Sequence, residues 1–245
     1  MKTPTRIVKI PFKYAMGFDG VDDYVEIPEP PVLAGARKAT ICGWVCSNKG
    51  YETFWDFVTE GWTGDWSIMY GWERLYARIL YTDGTIAALD LGLHGFELGR
   101  WQFIAFGWDI DAGKLFGYNS YGNRWVTASV DPSKQPRNVY NKVRIGYLNT
   151  PLNGFVREVC IYSRALGTDE ISWNYNNPGN PVKEGLVLHL IAHPDYVRDI
   201  DNDGRLEWID LSGYGNHGKI YGATLREIIK SPARVLSPAR IVGVV

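Results

Sequence analysis

The sequence predicts an all-β sandwich carrying one short helix, and three observations lead there. Short runs of aromatic and β-branched residues recur, with turn signals between them every eight to twelve residues. One of these runs, Phe155 to Tyr162, is apolar on both faces, as a strand lying between two layers must be. Helical spacing shows in only one short stretch, immediately after that run.

Taken in order, residues 39–46 read as a strand centred on Trp44. Asp65 to Trp72 alternates, with Trp66, Ile68, Tyr70 and Trp72 on one face and Trp62 in the loop before it. Leu75–Tyr81 and Thr85–Leu91 flank Asp83-Gly84, a strong hairpin signal. Trp101–Trp108 and Lys114–Tyr118 flank a second turn, Asp109 to Gly113. Arg144–Tyr147 leads through Pro-Leu-Asn-Gly into Phe155–Tyr162, whose odd face is Phe155, Val159 and Ile161 and whose even face is Val156, Cys160 and Tyr162. Thr168 is placed to cap a short helix, with Asp169 and Glu170 in the first turn, Ile171 and Tyr175 on one face, and Asn176-Asn177-Pro178 to stop it. Asn176 to Pro181 is the best internal boundary, and Gly185–Ile191 beyond it reads as a buried strand.

Two of these stretches resemble the laminin G-like, concanavalin A-like lectin/glucanase jelly-roll family. They are Gly17-Phe-Asp-Gly-Val-Asp-Asp-Tyr-Val25 and Gly154 to Asn176, and Trp101–Ala105 followed by Trp108-Asp109 is similar to the family's middle strand. The resemblance covers residues 12–178 and implies the jelly-roll sandwich; it says little of function, since the fold hosts lectins, adhesins, enzymes and structural proteins. Arg157 departs from the family, which often has an acid there. The family's GL-V strand and DLSG-x-GNHG stretch normally precede the FDG strand, whereas here Gly185–Ile191 and Asp210–Gly218 follow the helix. A permuted domain, the start of a second copy, or strands given to a neighbour would each account for this, and the first is favoured. The expected organisation is an N-terminal arm at 1–11, the jelly roll at 12–178, a segment at 179–230 completing or extending the sandwich, and an arm at 231–245.

With 245 residues, 45% hydrophobic and 14% aromatic, the chain can bury a substantial core. Its net charge of −1 offers no field to nucleic acid or anionic membrane, and no apolar run reaches spanning length. The first residues lack the apolar core of a secretory signal, so the expectation is cytoplasmic synthesis followed by release into an extracellular or virion assembly. Cys42, Cys46 and Cys160 make no disulfide framework and read as buried thiols, with a bridge from Cys160 across the sandwich the lesser alternative.

The most specific site pattern runs from Asp199 to Asp210. Asp199, Asp201, Asp203, Glu207 and Asp210 occupy positions 1, 3, 5, 9 and 12 of a calcium loop, Gly204 holds the turn, and the Arg205 backbone carbonyl stands at position 7. Alternating carboxylates of this kind wrap a hard cation, so Ca2+ is the expected cofactor. Asp19, Asp22 and Asp23 form a second acidic group, readable as a metal rim or a solvated turn. Trp62, Trp66 and Trp72 read as core rings or as a glycan platform.

Three enzyme patterns fail. Gly213 to Lys219 lacks the hydroxyl that would hold magnesium, because Ile220 stands there, and a strand-like run follows it. His189 and His193 sit in a strand with no Glu after the first His. Neither a paired-carboxylate strand motif nor a nucleophile elbow is present. Ser231-Pro-Ala-Arg and Ser237-Pro-Ala-Arg repeat, and Thr3-Pro-Thr-Arg matches them. Extended arms carrying Pro4, Arg6, Pro232, Arg234, Pro238 and Arg240 suit either loose tails or contacts that build a homo-oligomer. The expectation is a non-enzymatic structural or attachment protein, calcium-stabilised and open to glycans, with a free lectin or glycoside hydrolase as the alternative.

Overall fold

A computed structural model describes residues 13–28, 30–50, 52–59, 62–71, 74–93, 97–137, 142–146 and 151–228, with the backbone alone at 31, 52–53, 55–59, 62–71, 74 and 92–93. The terminal arm residues Pro4, Arg6, Pro232, Arg234, Pro238 and Arg240, and also Trp72, lie outside the described residues. In chain order the elements are β1 (Tyr14–Asp19), β2 (Tyr24–Pro28), β3 (Lys38–Ser47), β4 (Glu52–Thr59), β5 (Trp62–Gly71), β6 (Arg74–Leu80), β7 (Ile86–Leu93), β8 (Gln102–Asp109) and β9 (Lys114–Asn119). They continue as β10 (Arg124–Ser129), β11 (Lys142–Ile145), β12 (Asn153–Tyr162), α1 (Thr168–Asn176), β13 (Leu186–Ile191), β14 (Val197–Arg198), β15 (Glu207–Trp208), β16 (Gly218–Tyr221) and β17 (Thr224–Glu227).

Two antiparallel sheets stack. The first runs β10-β9-β8-β3-β12-β1-β17, with β13 also on β12, and the second runs β14-β15-β16-β2-β11-β4-β5-β6-β7. β1 and β13 lie end to end along one edge of β12, since β1 pairs with its 153–156 half and β13 with its 158–162 half, while β3 follows the other edge. The strands after the Asn176–Pro181 stretch therefore pair within this chain: β13 with β12, β16 with β2, and β17 with β1.

The main core fills the space between the sheets with Met16, Ile41, Val45, Ile104, Phe106, Trp108, Val156, Val159 and Ile161 from the first, against Val25, Ile27, Leu75, Ala77, Ile79, Val143, Ile145 and Ile220 from the second. A second apolar layer covers the other face of the first sheet. There Cys42, Trp44, Phe103, Ala105, Phe116, Tyr118, Cys160 and Tyr162 pack under Leu166, Ile171 and Tyr175. Trp44 stacks on Tyr175 at a centroid distance of 5.4 Å, and Tyr118 meets the same ring edge-on at 5.9 Å. β12 is thus apolar on both faces because α1 lies over one and the second sheet over the other.

Strict alternation along β12 is corrected by the structure. The register passes from Val156↔Val45 to Glu158↔Trp44, leaving Arg157 as an extra residue in a bulge. The bulge reverses the parity. Val156 therefore joins Val159 and Ile161 in the main core, while Glu158, Cys160 and Tyr162 share the α1 side. Arg157 lies with its guanidinium 4.8 Å from the Trp101 ring centroid, and burial pulls its pKa down to about 10 against the opposing pull of Glu158. At Gly154 an added Cβ would come 2.1 Å from the Cys46 carbonyl oxygen, so only glycine lets β12 approach β3 there.

The helix cap also differs from expectation. Gly167, and not Thr168, is the N-cap. Glu170 reaches back to accept the Gly167 N–H at 2.9 Å, and Arg164 holds Glu170 through two bonds of 2.9 and 2.6 Å. The cap is therefore made from the third helical residue, with an arginine fixing it. Trp62 opens β5, paired with Thr59, and does not lie in a loop. Trp66, Ile68 and Tyr70 stand in register with Ile79, Ala77 and Leu75, whose side chains are buried.

One buried amide ties α1 to the sheet. Asn174 donates to the Tyr162 hydroxyl at 2.9 Å and to Cys42 Sγ at 3.6 Å, and its oxygen accepts the Val182 N–H at 2.9 Å. Asn174→Ala leaves the Val182 N–H without an acceptor, so a loss of about 1–3 kcal/mol in unfolding free energy is expected, measured by urea denaturation.

Candidate functional site: a charged groove on the second sheet

The outer face of the second sheet follows from its inner one. Because Val25, Ile27, Val143, Ile145 and Ile220 point to the core, the intervening Tyr24, Glu26, Arg144, Lys219 and Tyr221 point away. Pairing then sets Arg144 opposite Glu26, Glu26 opposite Lys219, and Lys219 opposite Glu207. Charges alternate in sign along this row across β11, β2, β16 and β15. A groove of about 360 Å³ lies over it, lined by Glu26, Lys142, Lys219 and Glu207 on the floor and by Ile200, Asp201, Gly215 and His217 on the walls.

Each polar group is oriented. Glu26 accepts two bonds from Arg144, at 3.1 and 2.9 Å, and pairs with Lys142 at 2.9 Å. Burial pushes the Glu26 carboxyl up, but the Lys142 and Arg144 bonds outweigh it and hold the group below its ordinary value. Glu207 is buried and accepts the Ile200 N–H at 2.8 Å, which fixes the wall to the floor. His217 Nδ1 accepts the Asp210 N–H at 3.0 Å, so the neutral ring carries its proton on Nε2. Beside the groove, Tyr24 and Tyr221 stack at 4.4 Å and 8°, with Arg144 over the first ring at 5.3 Å and Arg205 over the second at 4.5 Å.

The acidic turn forms one wall. Asp199, Asp201 and Asp203 bring carboxylate oxygens within 4.8 Å of one another, and neither Glu207 nor Asp210 joins them. Gly204 (φ +84°) turns the chain, with its N–H donating to Asp199 at 2.9 Å, while the Arg205 N–H donates to Asp203 at 2.8 Å. Lys219 reaches from the groove floor to Asp201 at 3.1 Å and Asp203 at 2.8 Å. These two carboxylates push the Lys219 ammonium pKa up. Asp210, expected at position 12, is engaged elsewhere. Its carboxylate accepts from the His189, Ser212 and Asn216 N–H groups and the Ser212 hydroxyl, stitching the 210–216 loop to β13. Its strand position explains this, because Leu190 and Asp210 form a bridge that turns the chain away from the acidic turn.

Asp19, Asp22 and Asp23 also converge. Asp23 Oδ2 accepts the Asp19 N–H at 2.9 Å and Asp19 Oδ1 accepts the Val21 N–H at 2.8 Å. Burial raises the Asp23 pKa, aided by its acidic neighbours Asp19 and Asp22. Gly222 abuts it so closely that a Cβ there would meet Asp23 Oδ1 at 2.0 Å. Trp62 and Trp66 lie on β5, two strands from Lys142 on β11 and four from β16 in the sheet order. Sequence reading missed Glu26, Lys142, His217 and Lys219. Glu26, a charged residue between apolar Val25 and Ile27 on a short strand, is the one of these with that local signal.

The fold and the groove define an antiparallel two-sheet sandwich with a polar, open groove on its second sheet. Residues 19–172, more than half of the chain, match the family described as the concanavalin A-like lectin/glucanases superfamily, and the chain belongs to that family. No curated protein matches it in sequence. A Bacteroides ovatus protein provisionally assigned to carbohydrate binding is similar in structure at TM-score 0.65 and 17% identity, over 88% of this chain and 60% of that one. The chain therefore spans less than two thirds of that protein. The heptameric SAP-like pentraxin of Limulus polyphemus is similar at TM-score 0.51 and 14% identity, over 66% of this chain and 81% of the pentraxin. The leech intramolecular trans-sialidase is similar at TM-score 0.52 and 13% identity, over 69% of this chain and 29% of the enzyme. At these identities the likeness is one of fold.

Glu26 gives a pH dependence with a definite sign. Its folded pKa is depressed, so its contribution to stability is present above the unfolded carboxylate value of about 4.3 and is lost as pH falls through the lower folded value. Glu26→Gln should remove that part of the acid-side fall in melting temperature. The check is a comparison of the two melting curves across the carboxylate range, since other depressed acids contribute to both alike.

Proposed function

We propose that this chain is a non-enzymatic carbohydrate-binding protein that takes its glycan in the charged groove of the second sheet. The observation that carries the reading is the alternating row of Glu26, Lys219 and Glu207, with Lys142 beside it, beneath an open groove. Of the exposed apolar side chains, Ile200 lines the groove at 40% exposure. Tyr214, 62% exposed, sits between two left-handed glycines, Gly213 and the groove-lining Gly215, and we assign its ring to the apolar face of a sugar.

Catalysis is disfavoured by the same groups. A glycosidase acid needs a carboxyl with a raised pKa beside a second, free carboxylate. Glu26 is depressed by two cations and Glu207 is committed to a backbone amide, which suits holding a ligand and not protonating one. A broad glycan array tests the reading. Binding to a coherent glycan class is expected, with Tyr214→Ala weakening it roughly fivefold or more and His217→Ala abolishing the donor on the wall. A folded protein that retains no glycan on the array would overturn it.

Calcium at the acidic turn is the cofactor we infer, held by Asp199, Asp201 and Asp203. Lys219 is a competing counter-ion there and also lines the groove, so a cation that displaces it frees an ammonium toward the glycan. Cation and glycan should then strengthen each other's binding. Calcium at about a hundredfold above its dissociation constant adds roughly 2.7 kcal/mol to stability, and Lys219→Met should tighten calcium further by removing the competitor. A melting temperature indifferent to both calcium and chelator, in wild type and variant, refutes occupancy.

The repeated Ser-Pro-Ala-Arg segments support attachment to an extracellular or virion assembly as the setting for this binding, with the arms joining copies of the chain. Deleting 231–245 should lower the number of chains per particle, measured by light scattering, and an unchanged oligomer would count against the arms.

A further inference from the structure

The face of the first sheet under α1 holds a polar cluster that the groove does not use. Cys42 on β3, Cys160 on β12 and His189 on β13 lie opposite one another in one row across three strands, and Glu158 stands two residues before Cys160. All four are buried: Cys42 fully, Cys160 and His189 at 2% and Glu158 at 3% exposure. Glu158 Oε1, Cys160 Sγ and a ring nitrogen of His189 lie within 4.8 Å of one another. Within the cluster, Glu158 Oε1 is 2.9 Å from His189 Nε2 and 4.0 Å from Cys160 Sγ, and it accepts the Gly179 N–H at 3.0 Å. His189 Nδ1 is buried with no partner among the described residues.

We propose that Glu158, Cys160 and His189 form an interior site for a transition-metal ion of the zinc class. The donor set decides the class of ion. One imidazole nitrogen, one sulfur and one carboxylate oxygen suit a borderline ion, whereas magnesium and calcium take oxygen donors. Burial supports the assignment. A carboxylate in an apolar layer requires compensation, and a cation among these donors supplies it. A cysteine ligates as the thiolate, so coordination displaces one proton from the Cys160 thiol to solvent, and the neutral imidazole lends the lone pair of its unprotonated nitrogen. Strand alternation makes the arrangement, because Glu158 and Cys160 are two residues apart on one face of β12 and His189 pairs opposite Cys160.

The test uses the full chain and Co2+ as the probe, added both to the folded protein after chelation and during refolding. Bound tetrahedral Co2+ should give a thiolate charge-transfer band and intense visible absorption at one equivalent. Cys160→Ala should abolish the charge-transfer band, Glu158→Gln and His189→Asn should weaken binding at least roughly tenfold, and Cys46→Ser should change neither. Zn2+ should displace the cobalt. Cobalt held at the acidic turn would instead have oxygen donors and no thiolate band, and would be lost in Asp201→Asn/Asp203→Asn. Absence of a thiolate band in both the folded and the refolded wild-type protein, or its persistence in Cys160→Ala, overturns the proposal.

Discussion

β12 is the constraint on which the rest of the structure depends, since both of its faces and both of its edges are covered. The second sheet takes one face and α1 the other, while β3 runs along one edge and β1 with β13 share the opposite one. Such a strand tolerates no error of register, because a slip of one residue exchanges its two faces. Two local features hold the register. Gly154 lets the β3 backbone approach, and the bulge at Arg157 changes the parity once, sending Val156 inward and Glu158 outward. Each neighbouring strand inherits its facing from that point.

The groove is a consequence of the same layering. A core that takes every second residue of β2, β11 and β16 leaves the alternate ones on the outer surface, and here these are charged or aromatic. Their cross-strand pairing makes a row of alternating sign with few unsatisfied charges, which keeps the surface polar and rigid. The groove is also composite. Glu26 and Lys142 lie within residues 19–172, which match the family, whereas Asp201, Glu207, His217 and Lys219 come from the segment beyond them. That segment contributes to both sheets, through β13 and β17 to the first and β14, β15 and β16 to the second.

Much of the fold was legible in the sequence. The β3, β6, β8, β9, β12 and β13 runs, the Asp83-Gly84 turn and the helix end at Asn176 follow from periods and turn residues that act over a few positions. The family resemblance extended this to the sandwich itself. Three local readings failed for stated reasons. Gly167 caps α1 because Arg164 positions Glu170, the β12 faces exchange at a bulge that periodicity does not mark, and Trp62 belongs to a strand because Thr59 pairs with it.

For the sites, the sequence determined which carboxylates are near one another along the chain. Asp199, Asp201 and Asp203 converge because a short loop with Gly204 at its turn brings them together whatever surrounds it. Tertiary structure alone decided that Asp210 serves β13 and the following loop, that Lys219 reaches back to the acidic turn, and that Glu26 meets partners from β11 and β16. The physical reason is range. Periodicity and turn chemistry fix dihedral angles over a few residues, whereas which distant strands lie side by side depends on how the whole apolar surface is buried at once.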